Sequence, residues 1–309
     1  MYVFRCLLSV VMSTFERFIK HRNHTKQLYI IGNGFDLMHG IPSSYSDFGH
    51  FCKTNNKELF EMMNREFPSL SKDNNLWSNF ESSLGKPDYS FLFQMAKNNE
   101  VEKLQNEDRP VGVDYPTLAG VMAKWIDSLS ELIKTTTMPK KVFLNGKNSV
   151  FLTFNYTNTL EVIYGISSEI CYHIHERYSD NTAGMFVGYN WGHSKCKEDI
   201  SSELSTLGVN VVDVIPYEIA TIVKGFGKRH EDGNRILEQM IKKTQQNVDD
   251  IIVIGHSMSE VDYCYFQTIR DNFETARWHV FYYDNIDLVK KRRSVIDLNI
   301  ASNTEFISL

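Results

Sequence analysis

The chain has 309 residues, of which 42% are hydrophobic and 23% charged, and a formal net charge of −5. These values describe a globular protein with room for a large core; they exclude a disordered chain and argue against nucleic-acid binding driven by overall positive charge. Five cysteines (Cys6, Cys52, Cys171, Cys196 and Cys264) are scattered without a C-x-x-C pair. That pattern points to reduced thiols in a cytoplasmic protein and to no metal site.

Residues 1–26 read as an N-terminal extension. "MYVFRCLLSVVM" has the apolar length of a signal peptide but neither a basic start nor a small-residue cleavage site. Glu16 and Arg17 arrive too early for a membrane span, which needs about 20 apolar residues. Secretion and membrane insertion are not expected, and Met12 offers a second initiator.

From residue 27 to 309 the pattern is that of one α/β domain. Strand-length apolar runs occur at "QLYIIG" (27–32), "SVFLTFN" (149–155), "EICYHIH" (169–175), "DIIVIGHS" (250–257) and "RWHVFYYDN" (277–285). Their apolarity is continuous rather than alternating, as in parallel strands covered on both faces. Between them, Phe48, Phe51, Leu59, Phe60, Met63 and Phe67 recur at largely helical spacing, as do Leu118, Val121, Met122, Trp125, Ile126, Leu129 and Leu132. "NRILEQMIKKTQQ" and "SEVDYCYFQTIRDNF" are further helices. The fold class is therefore a parallel-sheet, Rossmann-like core, with helical insertions at about 55–145 and 195–245.

Four strand ends carry the chemistry. The first, Gly32-Asn33-Gly34, is followed by Asp36. Glycines at a strand end admit either a phosphate at the next helix N-terminus or a plain strand-turn-helix corner, and Asp36 is either a cap or a ligand contact. The second, Thr153-x-Asn155-x-Thr157, alternates toward one face, where Asn155 orients a ribose or a water or merely caps a helix. At the third, His173 and His175 are expected to share a face, with His175 suited to act as a base near neutral pH. The fourth, Gly255-His256-Ser257, precedes Glu260 and Asp262; it lacks the second glycine of a G-x-S-x-G nucleophile elbow. Parallel strands would bring all four ends to one rim.

Taken together, "LYIIGNGFDLMHGIPSSYSDF", "LWSNFESSLG", "FLTFNYTNTLE", "HIH" and "IIVIGHSMSEVD" resemble the bacterial AbiH family of phage abortive-infection proteins. That family is in turn similar to the sirtuin-like NAD-consuming fold. The four strand ends follow the order of its G-A-G-x-S turn, T-x-N-x-D strand end, H-G histidine and G-x-S-x-x-D strand end. The resemblance implies a dinucleotide near Gly32, Asn33, Gly34 and Asp36, with His39 in the same motif. It places Asn155 at the nicotinamide ribose or the attacking water, with Thr153 and Thr157 as binding residues of the same strand end. It places Gly255 and Ser257 at the adenosine half, with His256 in that turn and Asp262 supporting it. Asn155 and His175 would be catalytic, and Glu81 would be a reserve carboxylate for stabilising positive charge.

This sequence departs from that pattern at Thr157, where the motif has aspartate, and at Glu176, where it has glycine. It also lacks a four-cysteine zinc module, so protein deacetylation is not expected. The implied activity is hydrolysis of NAD or a related nucleotide at the N-glycosidic bond, with NAD as substrate or ligand and no cofactor required. Two rival functions are a non-catalytic nucleotide-binding sensor and a metal-dependent nuclease using Asp36, Glu81 and Asp262. The expected partners are a small nucleotide, a phage-derived trigger and a second copy of the chain.

Overall fold

The computed structural model describes residues 25–71, 76–103, 115–135, 147–175, 230–244 and 247–309, together with positions 142, 144, 202, 205, 206 and 219. In chain order the elements are β1 (Gln27–Ile31), α1 (Asn33–Met38), α2 (Tyr45–Asn55), α3 (Lys57–Glu66), α4 (Phe80–Leu84), α5 (Tyr89–Lys103), α6 (Tyr115–Thr135), β2 (Ser149–Thr153), α7 (Thr159–Tyr164), β3 (Cys171–His173), α8 (His230–Thr244), β4 (Asp250–Ile254), α9 (Tyr263–Asn272), β5 (Arg277–Tyr282), α10 (Asn285–Asp297) and β6 (Thr304–Ser308).

The six strands form one all-parallel sheet in the order β3-β2-β1-β4-β5-β6. This is the doubly wound order expected of a Rossmann-like core. Side chains alternate across it. Leu28, Ile30, Leu152, Ile251, Val253 and Val280 pack on one face with Leu237 and Met240 of α8, Phe266 and Ile269 of α9, and Val295 of α10. Tyr29, Ile31, Phe151, Ile252, Ile254 and Phe281 pack on the other with Phe35 of α1 and Leu160 of α7. Covering both faces explains the continuous apolarity of β1 and β4, every residue of which is buried. Tyr29 and Phe151 stack at 4.8 Å between ring centroids on neighbouring strands, and each such buried ring contributes about 1.5–3 kcal/mol.

β6 is an addition to the expected elements. Its sequence, TEFIS, leaves Glu305 and Ser308 exposed at the sheet edge, so it lacks the continuous apolarity that marks the other strands.

The chain divides into two units, one of Met1–Ser43, Ile126–Asp180 and His230–Leu309, which contains the sheet, and one of Ser44–Trp125 and Asn181–Arg229. In the second, Ser44 and Asp47 form a reciprocal capping box at the start of α2. Phe48, Trp77 and Phe80 cluster there, with Trp77 and Phe80 stacked at 5.3 Å. Among the described residues no helix is long and apolar enough to cross a membrane.

Candidate functional site

The chain runs from β1 outward through β2 and β3, then returns to the other side of β1 as β4. The topological switch point thus falls between the carboxyl ends of β1 and β4, where ligands of open α/β sheets bind. Two glycine turns meet there. The Gly32 N–H donates to the Ile254 carbonyl at 3.0 Å and the Gly34 N–H to the Gly255 carbonyl at 2.8 Å. A Cβ on Gly32 would stand 2.5 Å from His256 Cα, one on Gly34 2.8 Å from the Gly255 oxygen, and one on Gly255 2.2 Å from the Phe35 nitrogen. Gly255 also needs φ +66. These glycines allow two turns to pack backbone against backbone.

Beside this contact lies a buried polar network. Asp36, in the first turns of α1, is fully buried; its Oδ2 accepts a 2.5 Å hydrogen bond from the Thr157 hydroxyl, and Thr157 lies 3.1 Å from the Thr159 hydroxyl. Burial pushes the Asp36 carboxyl up to about 6, against the lowering influence of Thr157, Thr159 and Asn155 and of His173. Asn155 ties three strand ends together. Its side-chain amide donates to the Gly32 carbonyl at 3.2 Å, its backbone N–H donates to Thr153 Oγ1 at 3.1 Å, and its carbonyl faces His173 Nδ1 at 3.1 Å. Asp36 Oδ1 and Asn155 Oδ1 are both buried without a hydrogen-bond partner. Asn155 and Thr157 therefore meet the β1 end, at Gly32 and Asp36, while Thr153 holds the Asn155 N–H.

The histidines separate. β3 ends at His173, and the chain turns through residues 174 and 175. His173 stays on the Asp36 side, with Nε2 2.9 Å from Glu161 Oε1. His175 enters an aromatic group instead, 5.6 Å from Phe154, 5.7 Å from Tyr156 and 6.5 Å from Tyr265 between ring centroids. The shared face expected from strand periodicity fails because the strand stops between them.

His256 packs edge-on to Phe154 at 4.3 Å. Its Nδ1 accepts the Met258 N–H at 2.9 Å, which leaves the proton on Nε2, 3.5 Å from Asp262 Oδ2. Ser257 is exposed beside it. Met258 is buried at φ +54, a conformation uncommon for a side-chain-bearing residue.

Other expected site residues have local partners. Asn33 Oδ1 accepts from the Ser43 hydroxyl. His39 bridges the Phe35 carbonyl at 2.7 Å and the Tyr164 hydroxyl at 2.8 Å, which ties α1 to α7. Glu81 belongs to the second unit, where Tyr45 donates to its Oε1 at 3.1 Å. Asp36 and Asp262 enter separate networks, one with Thr157 and one with His256, so these two carboxylates do not form the shared metal site that the nuclease reading requires. Glu176 lies outside the described residues. Thr159, Glu161 and Cys171 are polar neighbours that the strand-end reasoning passes over. The signal for the first two is the continued alternation Thr157-x-Thr159-x-Glu161.

The family model for bacteriophage abortive infection AbiH matches residues 28–282. The chain belongs to the AbiH family. That span contains all four strand ends, the Asp36 network and both glycine turns. No curated protein matches it. Among solved structures it is similar to Sir2Tm bound to a propionylated peptide, at 13% identity over 93% of this chain and 99% of that one, with a TM-score of 0.31. The α/β class of this AbiH chain rests on the strand order of its own sheet.

Proposed function

We propose that this AbiH-family chain is an effector of abortive infection that hydrolyses the N-glycosidic bond of NAD or a closely related nucleotide. The observation that carries the reading is the pair of buried acceptors without partners, Asp36 Oδ1 and Asn155 Oδ1, beside the switch point of a doubly wound sheet. Unpaired buried acceptors are costly unless a ligand satisfies them. Ribose hydroxyls donate to such oxygens, whereas phosphate, itself an acceptor, does not. The amides of Gly32 and Gly34 are also taken up by the β4 turn, which favours the sugar end of the nucleotide at this spot.

A carboxylate here suits the chemistry. As the C1′–N bond lengthens, positive charge builds on the ribose, and a desolvated carboxylate stabilises it more strongly than one in water. The bond's electron pair passes to the pyridinium nitrogen, which leaves as neutral nicotinamide. A water oxygen bonds to C1′, and its proton passes to a base. His175 takes the part of the base, Asn155 orients the water or the ribose, and Asp36 takes the charge-stabilising part expected of Glu81. Gly255, His256, Ser257 and Asp262 retain the adenosine side.

The test is incubation of purified protein with NAD, with and without lysate of phage-infected cells. Release of nicotinamide and ADP-ribose by wild type, lost in Asp36→Asn and His175→Ala, is expected. Intact NAD under both conditions, with both variants still protective against phage, would overturn the reading. A nucleotide retained through purification, seen by mass spectrometry and never turned over, would replace hydrolysis by the sensor role.

A further inference from the structure

We propose that Glu161, Cys171 and His173 bind one divalent transition-metal ion of the zinc type. The residues come from two elements: Glu161 from the first turn of α7, and Cys171 and His173 from either end of β3, two residues apart and so on one face. One ligand atom from each lies within 4.8 Å of the other two. His173 Nε2 stands 2.9 Å from Glu161 Oε1 and 3.9 Å from Cys171 Sγ.

Zinc bonds of about 2.0–2.1 Å to nitrogen, about 2.0–2.2 Å to oxygen and about 2.3 Å to sulfur put neighbouring ligand atoms of a tetrahedral site roughly 3.3–3.7 Å apart. The two spacings from His173 bracket that range, and the Glu161–Cys171 spacing, within 4.8 Å, closes to it by a side-chain shift of up to about an ångström. All three residues are largely enclosed, with Cys171 7% exposed and the His173 and Glu161 side chains 8% and 15%.

The second observation concerns the histidine. His173 Nδ1 faces the Asn155 carbonyl at 3.1 Å, an oxygen that only accepts. Placing the ring proton there, as metal-binding histidines do, leaves the Nε2 lone pair directed at a carboxylate oxygen. The cation shared by Nε2 and Oε1 at 2.9 Å is either a second ring proton or a metal ion, and the Cys171 sulfur 3.9 Å from Nε2 adds a ligand that only the metal uses. The sulfur, nitrogen and oxygen donors suit zinc, cobalt or ferrous iron and do not suit magnesium or calcium. Three protein ligands leave a fourth position for water.

The site escapes sequence reasoning based on paired cysteines because one ligand arrives from the helix that follows β2. It is independent of NAD chemistry. An ion there clamps β3 to α7 and, through His173, fixes the Asn155 backbone.

The test is titration of full-length protein, purified under reducing conditions, with Co²⁺. A thiolate-to-cobalt charge-transfer band saturating at one ion per chain is expected, displaced by added Zn²⁺. Cys171→Ser and His173→Ala should abolish the band and Glu161→Gln should weaken binding; Cys6→Ser, Cys52→Ser, Cys196→Ser and Cys264→Ser should leave it intact. Absence of the band in the wild type, or its survival in Cys171→Ser, overturns the proposal. The wild-type titration decides the matter even where a variant fails to fold.

Discussion

The Thr157 hydroxyl donates to the Asp36 carboxylate at 2.5 Å across 121 residues of sequence, closing the space between the ends of β1 and β2. The pair joins the carboxylate that follows one strand end to the hydroxyl that follows the next. An aspartate at 157 would instead set two carboxylates together in a buried space.

Replacing Asp36 with asparagine is expected to stabilise the protein while removing activity. The folded carboxyl titrates at about 6 and the unfolded one near 3.8. Between those values the native state binds the extra proton, so stability falls as pH rises from about 4 to about 6 and stays lower above that. The penalty at pH 7.5 is about 3 kcal/mol. Urea unfolding of Asp36→Asn should show a gain of that order at pH 7.5, shrinking toward pH 4; an equal gain at both would refute the assignment. The proposed NAD hydrolysis, in which the ionised form would stabilise the ribosyl cation, should fall as pH drops through 6.

Thr157→Val removes the hydroxyl that donates to Asp36 Oδ2 at 2.5 Å while keeping the shape of the side chain. It should cost about 1–3 kcal/mol by leaving a buried acceptor unsatisfied. Thr157→Ser should retain most of the stability. In an Asp36→Asn background the cost of Thr157→Val should shrink, and a double-mutant cycle of denaturant midpoints measures the difference.

Gly165 and Gly255 both have positive φ, +68 and +66, but their surroundings differ. Nothing lies within 4 Å of a Cβ on Gly165, so Gly165→Ala carries only the left-handed backbone cost of about 1–2 kcal/mol. Gly255→Ala adds a collision with the Phe35 nitrogen and should cost several kcal/mol more, as overpacking against backbone does. Thermal melting of the two variants, with Gly34→Ala as a third, is the check; similar losses for Gly165→Ala and Gly255→Ala would refute the turn-to-turn packing.

Asp250 should show the opposite pH behaviour to Asp36. Burial pushes its carboxyl up, but His279 at 2.9 Å, Thr25 and Arg277 at 3.0 Å outweigh this and hold it below the ordinary range. Its stabilising effect is present above pH 3.8 and is lost as pH falls through the lower folded value. Asp250→Asn should therefore destabilise at pH 7, by about 1–3 kcal/mol because Glu305 still faces His279 Nδ1 at 3.2 Å, and the loss should vanish in strong acid. Acid-unfolding curves of wild type and variant test this.

How much of this was legible in the sequence depends on what kind of contact was being read. β1 and β4 declare themselves because five consecutive buried residues admit no other element of that length. β6 does not, since an edge strand with Glu305 outward has the composition of a loop. Asn155 and Thr157 were readable because the chain leaving β2 stays beside the β1 end, where they meet Gly32 and Asp36. Strand periodicity misleads at His173 and His175, where the strand ends between them. The Glu161–Cys171–His173 group and the pressing of Gly34 against Gly255 are tertiary contacts, and spacing along the chain encodes neither.

That last contact also sets an order of events in synthesis. The contact at the switch point is built from residues 34 and 255, so a ribosome that has made β1, β2 and β3 has made a chain in which that contact is missing. The Gly32 and Gly34 amides gain their acceptors, at Ile254 and Gly255, only when β4 pairs beside β1. For an effector of the kind proposed above, an unfinished copy would be an inert one.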